Sequence, residues 1–180
     1  MSVFSNPASR SLEDAKAYTS AVLDLLGDRK PIEVLQDTPA ALQTAMGGLS
    51  TQQLATPEMT GKWSMRQVVR HLADSELVWG YRLRLVLAQE RPPLTGYDQD
   101  RWAERLHYDE ADTSDALEQF AVLRRGNLKL LHRATPDDLK RVGVHAERGE
   151  ESVERMIGLY AGHDLLHLRQ LDRIRQAIAR

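Results

Sequence analysis

The segment GHDLLHLRQLDRIR, residues 162–175, sets His163 and His167 four positions apart in a stretch that reads as helix. At that spacing the two side chains lie one turn apart on the same face, and their imidazoles converge on one point above it. Neutral imidazole is a common ligand of zinc and nickel, so the chemistry this pattern serves is the binding of a divalent ion. A solvated helix face is the bland alternative, and the neighbouring residues weigh against it. Met156, Tyr160, His163, His167, Gln170 and Ile174 follow one another at spacings of 4, 3, 4, 3 and 4, a stripe that faces the interior of a helical bundle. Burying polar groups there without partners costs a few kcal/mol. A shared ion supplies the partner.

Zinc or nickel needs at least a third protein ligand. The chain also offers His71, His107, His132 and His145. His71 sits in QVVRHLADSELVWGYRLRLVL, where Val68, His71, Leu72, Val78, Trp79, Leu85 and Val86 share a broad apolar face, so it too points inward. His132 stands among charges near a helix end and reads as solvated. His107 and His145 fall in loops and read as surface histidines. Asp74 follows His71 by about one turn, and Asp164 follows His163 directly. Each is read first as an ordinary helix-surface carboxylate and second as a group that orients a ligand imidazole. HDLLH differs from the metalloprotease pattern HExxH at the glutamate, which Asp164 replaces, so no protease is read from it. Arg82 and Arg124 lie on or near apolar stripes, where an arginine either snorkels or binds an anionic substrate.

The elements that must position these residues are helices. Ser11 is placed to cap a first helix that Gly27 ends, and Pro31 opens a second that Pro39 breaks or restarts and Gly47-Gly48 closes. STQQLATPEMTGK is a connection with a short helical turn. Ser64 and Gln67 form a capping box for a long helix running to about Gln89, stopped by Pro92-Pro93. Residues 91–112 read as a long loop, Thr113 or Ser114 as the cap of the next helix, and residues 134–151 as a turn-rich link. Ser152 begins the last helix. No strand pattern, internal repeat or low-complexity tract is found. The chain reads as an all-α four-helix bundle with long crossover connections and an extra N-terminal helix, with residues 1–10 as a tail and 11–180 as one domain.

Composition agrees with a soluble globular protein: 42% hydrophobic and 28% charged residues over 180 positions. A net charge of −2 and a pI of about 6.3 give no electrostatic case for nucleic acid or an anionic membrane. No apolar run approaches a membrane span, and MSVFSNPASR lacks the features of a signal peptide, so a cytoplasmic location is expected. There is no cysteine, which excludes disulfides, thiolate ligands and an internal sulfur nucleophile.

GKWSMRQVVRHLADSE, followed much later by GHDLLHLRQL, resembles the DinB-like superfamily, which includes the YfiT-like metal-dependent hydrolases and the bacillithiol transferases. The likeness continues through YRLRLVLAQERPPLTGYDQDRWAE and RVGVHAERGEES, about residues 31–175 in all. It implies a four-helix bundle holding a divalent metal on His71, His163 and His167. A homodimer is the assembly it suggests, and a DNA-binding role does not follow from the family name.

Three neutral imidazoles leave coordination positions open, as catalytic sites do. An ion there would lower the pKa of a bound thiol or water. Three functions are therefore expected in order: transfer of a low-molecular-weight thiol to an electrophile, hydrolysis at the same site, or a non-catalytic bundle stapled by metal. Tyr97, Asp98, Asp100, Arg101 and Trp102 in the 91–112 loop are candidates to touch substrate, with packing as the equal alternative for Tyr97 and Trp102. Tyr160 and Gln170, beside the histidines on the last helix, complete the candidate set.

Overall fold

The computed structural model describes residues 12–179, so the expected tail and the Ser11 cap lie outside the described residues. Four long helices form the bundle: α2 (Pro31–Met46), α4 (Met65–Ala88), α6 (Thr113–Leu131) and α8 (Val153–Ile178). Each of α2 and α4 packs against both α6 and α8, so α2 stands diagonally opposite α4 and α6 opposite α8, and the α2–α4 and α6–α8 connections cross the bundle end. An additional helix, α1 (Leu12–Asp24), lies along α8. It comes close because residue 162 is glycine: a Cβ there would sit 2.1 Å from the Val22 carbonyl oxygen.

The caps of α4 and α8 are those expected. Ser64 Oγ accepts from Gln67 N–H while Gln67 returns a bond to the Ser64 N–H, and Ser152 Oγ accepts from Arg155 N–H. Short α3 (Thr51–Ala55) supplies the expected turn in the connection before α4. Four expectations need correction. Helix α2 runs unbroken through Pro39. Proline there removes the N–H that would bond the carbonyl four residues back, that of Leu35. Arg124 Nη1 donates to this carbonyl instead, at 2.8 Å, so the helix continues without a buried unpaired acceptor. The cap of α6 is Asp112, whose carboxylate accepts from the N–H groups of Ser114 and Asp115, rather than Thr113 or Ser114. The 91–112 loop contains helix α5 (Gln99–Arg105), capped by Asp98. The 134–151 link holds α7 (Pro136–Lys140) and strands.

Those strands are the largest departure from the all-helical reading. Strands β1 (Pro93–Leu94), β2 (Val142–His145) and β3 (Gly149–Ser152) form a small sheet in which β1 and β2 are parallel and β2 and β3 form an antiparallel hairpin. Gly149 takes the positive φ of 76° that the turn requires. Strands of two to four residues are too short to display alternation against a charged sequence.

The core has two apolar clusters with a polar layer between them. One holds Leu35, Trp79, Leu83, Val86, Met156 and Ile157; the other holds Leu42, Met65, Leu72, Phe120, Leu171 and Ile174. Along α4, α6 and α8 the residues between the clusters are polar and buried: His71, Asp74 and Glu76, then Arg124 and Asn127, then Asp164 and His167. A polar layer crossing the middle of a bundle costs stability unless every group finds a partner. It therefore marks where the functional site lies.

Candidate metal centre

His71 of α4 meets His163 and His167 of α8 in this layer. The Nε2 atoms of His71 and His163 are 3.2 Å apart, those of His163 and His167 are 3.1 Å apart, and all three ligand atoms lie within 4.8 Å of one another. Three lone-pair nitrogens converging this closely suit a metal ion better than one another, since hydrogen bonds among neutral imidazoles consume at most one proton per ring. His167 Nδ1 donates to Gln170 Oε1 at 2.8 Å, which fixes that proton on Nδ1 and leaves Nε2 as the free ligand atom. Gln170, one turn on along the seam, thus orients a candidate ligand. Trp63 packs on the other side of His71, with ring centroids 5.1 Å apart.

Burial holds all three imidazoles neutral, the form that ligates. Desolvation is the first cause in each case. It lowers His71 and His163 well below the ordinary value, helped by neighbouring histidines, and brings His167 to about 4.

The carboxylates beside these histidines are neither on the surface nor bonded to the rings. Asp74 is buried, accepts from the Tyr108 hydroxyl at 2.7 Å and pairs with Arg70 at 2.7 Å. Asp164 is buried and turned to Arg124, which it binds through both oxygens at 2.6 and 3.2 Å. Arg124 also reaches Glu76 at 2.8 Å and lies 4.6 Å from the Phe120 ring centroid. Burial alone would lower the pKa of this guanidinium, but the Asp164 and Glu76 carboxylates more than reverse the effect and keep it charged. Arg124 is consequently a fastener between α2, α4, α6 and α8, with no face left for substrate.

His71 and His163 open onto a recess of about 660 Å³, counting its mouth. Tyr97 and Tyr160 line it, with the Tyr97 hydroxyl 2.8 Å from Ser75 Oγ and the Tyr160 ring stacked on Trp79 at 4.7 Å. Arg82 also lines it and donates to the Tyr160 hydroxyl at 3.3 Å. Trp102 braces Tyr97 from behind, ring centroids 4.4 Å apart. Asp98, by contrast, is spent as the cap of α5, and Asp100 and Arg101 are exposed on that helix away from the recess.

His107 and His132 are exposed, as expected, but His145 is not the surface residue expected: it is 2% exposed and lines the recess. Hairpin β2–β3 carries it there together with Arg148, and α1 contributes Tyr18 to the lining. Sequence reasoning missed these three because each reaches the site through a contact remote in the chain. Ser75 was missed as well, although its position four residues after His71 on the same helix face is the signal that could have found it.

The sequence profile of the DinB superfamily matches residues 35–171. Bacillus subtilis YfiT is 35% identical over 148 residues, spanning 80% of this chain and 83% of that protein. OB0782 of Oceanobacillus iheyensis is 34% identical over 137 residues, 76% of this chain and 79% of its own. Both carry names that assign them to the metal-dependent hydrolases. The solved structure of YfiT, described as a probable metal-dependent hydrolase with an unusual four-helix bundle topology, superposes with a TM-score of 0.78 at 32% identity, covering 83% of this chain and 86% of YfiT. The chain belongs to the DinB superfamily.

Proposed function

We propose that the protein is a metal-dependent enzyme and that its reaction transfers a low-molecular-weight thiol of the bacillithiol kind to an electrophilic carbon. The observation that carries this reading is the opening of the His71–His163–His167 cluster onto the recess, with no fourth protein ligand among the described residues. A structural site would be closed by protein on all sides. A divalent ion held by the three imidazoles, zinc or nickel on ligand chemistry, supplies Lewis acidity that lowers the pKa of a thiol or water beside it.

The chain's own groups favour a thiol. Asp74, Glu76 and Asp164 are bound to Tyr108, Arg70 and Arg124 and are not free to act as a general base for water; Glu147, against Gly96, is the one carboxylate among the described residues that line the recess. A thiol, starting near pKa 8.5, needs far less help to ionise than water at about 15.7. With no cysteine in the chain, the sulfur comes from a cosubstrate. Burial keeps Tyr97 protonated throughout the neutral range. Tyr97 and Ser75 share one hydrogen bond between two hydroxyls, and Ser75 Oγ also lies 3.4 Å from His71 Nε2, so the second O–H is released to a substrate when that nitrogen is taken up as a ligand. In balance, the thiol gives up its proton to solvent, a sulfur–carbon bond forms, and the bond from that carbon to the leaving group breaks, the leaving group taking the electron pair. Hydrolysis at the same site is the second reading, favoured by the names of the relatives.

The test compares metal-loaded and chelated protein on a panel of alkyl halides, epoxides and esters, with and without bacillithiol, mycothiol or glutathione. Metal-dependent conjugation that requires the thiol is expected. Ester cleavage without thiol moves the assignment to hydrolysis, and the absence of both leaves the non-catalytic, metal-stapled bundle. Metal analysis accompanies the assay: about one ion per chain is expected, lost in the His163→Ala, His167→Ala double variant.

A further inference from the structure

Three residues that line the recess carry a buried nitrogen without a partner, His71 at Nδ1, Arg82 at Nε and His145 at Nε2, and the last two lie outside the histidine cluster. Arg82 is 5% exposed, yet among the described residues no carboxylate comes within ion-pair distance of it. Its Nη2 donates to the Thr95 carbonyl and its Nη1 to the Tyr160 hydroxyl, while Nε is buried with no partner. The other arginines of the interior differ in their anions. Buried Arg124, whose Nε also lacks a partner, holds two carboxylates, and half-buried Arg148 holds Glu151 through two bonds of 2.6 and 2.9 Å. Glu151, bonded to Arg148, feels the Arg82 charge but makes no bond to it, and a buried guanidinium with no anion bonded to it is costly and persists where something else supplies one.

The second donor belongs to His145. Its Nδ1 accepts the Glu147 N–H at 3.2 Å, so Nδ1 carries the lone pair and the proton of the neutral ring is on Nε2. That Nε2 is buried without a partner. Burial, reinforced by Arg148 and Arg82, brings the ring's pKa to about 4, so this tautomer is the species present at neutral pH.

Arg82 and His145 line the same recess as His71 and His163. Donors of this kind repel a cation, and a water molecule would satisfy the N–H groups without answering the guanidinium charge. A dianionic phosphate is disfavoured because Glu147 lines the recess too, where Gly96 leaves room for its carboxylate. A single negative charge on a planar two-oxygen group matches what remains.

We infer that Arg82 and His145 form a carboxylate-binding subsite, so that one small-molecule reactant is a carboxylic acid held with its reacting atom toward the histidine cluster. The reactant's role rests on the function proposed above; the subsite itself does not, because its test needs no turnover.

The experiment measures binding by calorimetry on the full chain, metal-free and zinc-loaded. One pair of probes is N-acetylglycinate and N-acetylglycinamide; the other is 3-mercaptopropionate and 3-mercaptopropionamide. In the first pair, without metal, the acid is expected to bind about tenfold or more tighter than the amide, the range of a charge-assisted hydrogen bond. Arg82→Met should abolish the preference, and His145→Phe, which keeps the ring and removes the N–H, should reduce it several-fold. An Arg82-dependent preference confined to the thiol pair on zinc-loaded protein supports the subsite and assigns the carboxylate to the thiol reactant. Equal binding of acid and amide within twofold in both pairs overturns the inference, and this comparison on the unaltered protein holds even if Arg82→Met fails to fold. An acid preference that needs zinc and survives Arg82→Met also overturns it, since the carboxylate then sits on the ion. Inactivity in every turnover assay, with Arg82-dependent acid binding intact, would remove the enzyme reading and leave the subsite standing.

Discussion

Replacing Arg124 by methionine tests whether the polar layer is held as described. Methionine matches the length of the arginine stem but removes four bonds: one to the Leu35 carbonyl, one to Glu76 and two to Asp164. Glu76 and Asp164 are each 1% exposed and cannot be rescued by water without rearrangement. Breaking a buried ion pair by removing one partner costs about 3–5 kcal/mol. For a chain of this size about 2–4 °C of melting temperature follows each kcal/mol, so metal-free Arg124→Met should melt roughly 6–20 °C below the parent. The pH dependence gives a second signature. Burial already raises Glu76 above its ordinary value in the parent; without the guanidinium only the Asn127 hydrogen bond opposes it, and the folded pKa rises further. The folded variant then binds more protons than its unfolded chain, so its deficit should shrink as pH falls from 7 toward 5. Pro39→Ala should also restore part of the loss, about 1 kcal/mol, by returning a backbone donor to the Leu35 carbonyl. Paired chemical denaturation of parent, single and double variants at two pH values measures all of this. A deficit below about 1 kcal/mol, unchanged by pH and by Pro39→Ala, would refute the fastener role of Arg124.

Zinc or nickel at about a hundred times its dissociation constant should stabilise the fold by about 2.7 kcal/mol, a rise of roughly 5–11 °C seen by calorimetry and absent in His163→Ala, His167→Ala. His145 titrates at about 4 in the fold against 6.5 in a free chain, so its stabilisation is complete above pH 6.5 and is lost as pH falls through 4. The stability difference between metal-free parent and His145→Gln should therefore diminish by about 3 kcal/mol over that window in denaturant titrations. Gly162→Ala would drive a Cβ into the Val22 carbonyl. It should cost about 1–3 kcal/mol and speed hydrogen exchange in α1, while a variant with unchanged exchange would show that α1 is not pinned there.

The four long helices and the faces they bury can be read from the chain alone, because both follow from neighbours within a turn. Ser64 with Gln67 and Ser152 with Arg155 N–H make their caps across three residues, and the seam from Met156 to Ile174 needs no partner to be seen. His71, His163 and His167 were legible for the same reason: a histidine on an apolar stripe is conspicuous before its partners are known. Gln170, three residues from His167, belongs with them. Tertiary structure alone decided what depends on a distant residue. Pro39 stays inside a helix because Arg124, remote in sequence, occupies the carbonyl that proline leaves bare. Asp74 and Asp164 look like surface acids until Tyr108 and Arg124 arrive to bury them. His145 and Arg148 enter the recess only because a hairpin too short to show periodicity folds over the end of α4. Local pattern reports which side of an element is buried; the identity of the group waiting there is set by packing between elements, and in this protein that packing distributes the charges of the polar layer.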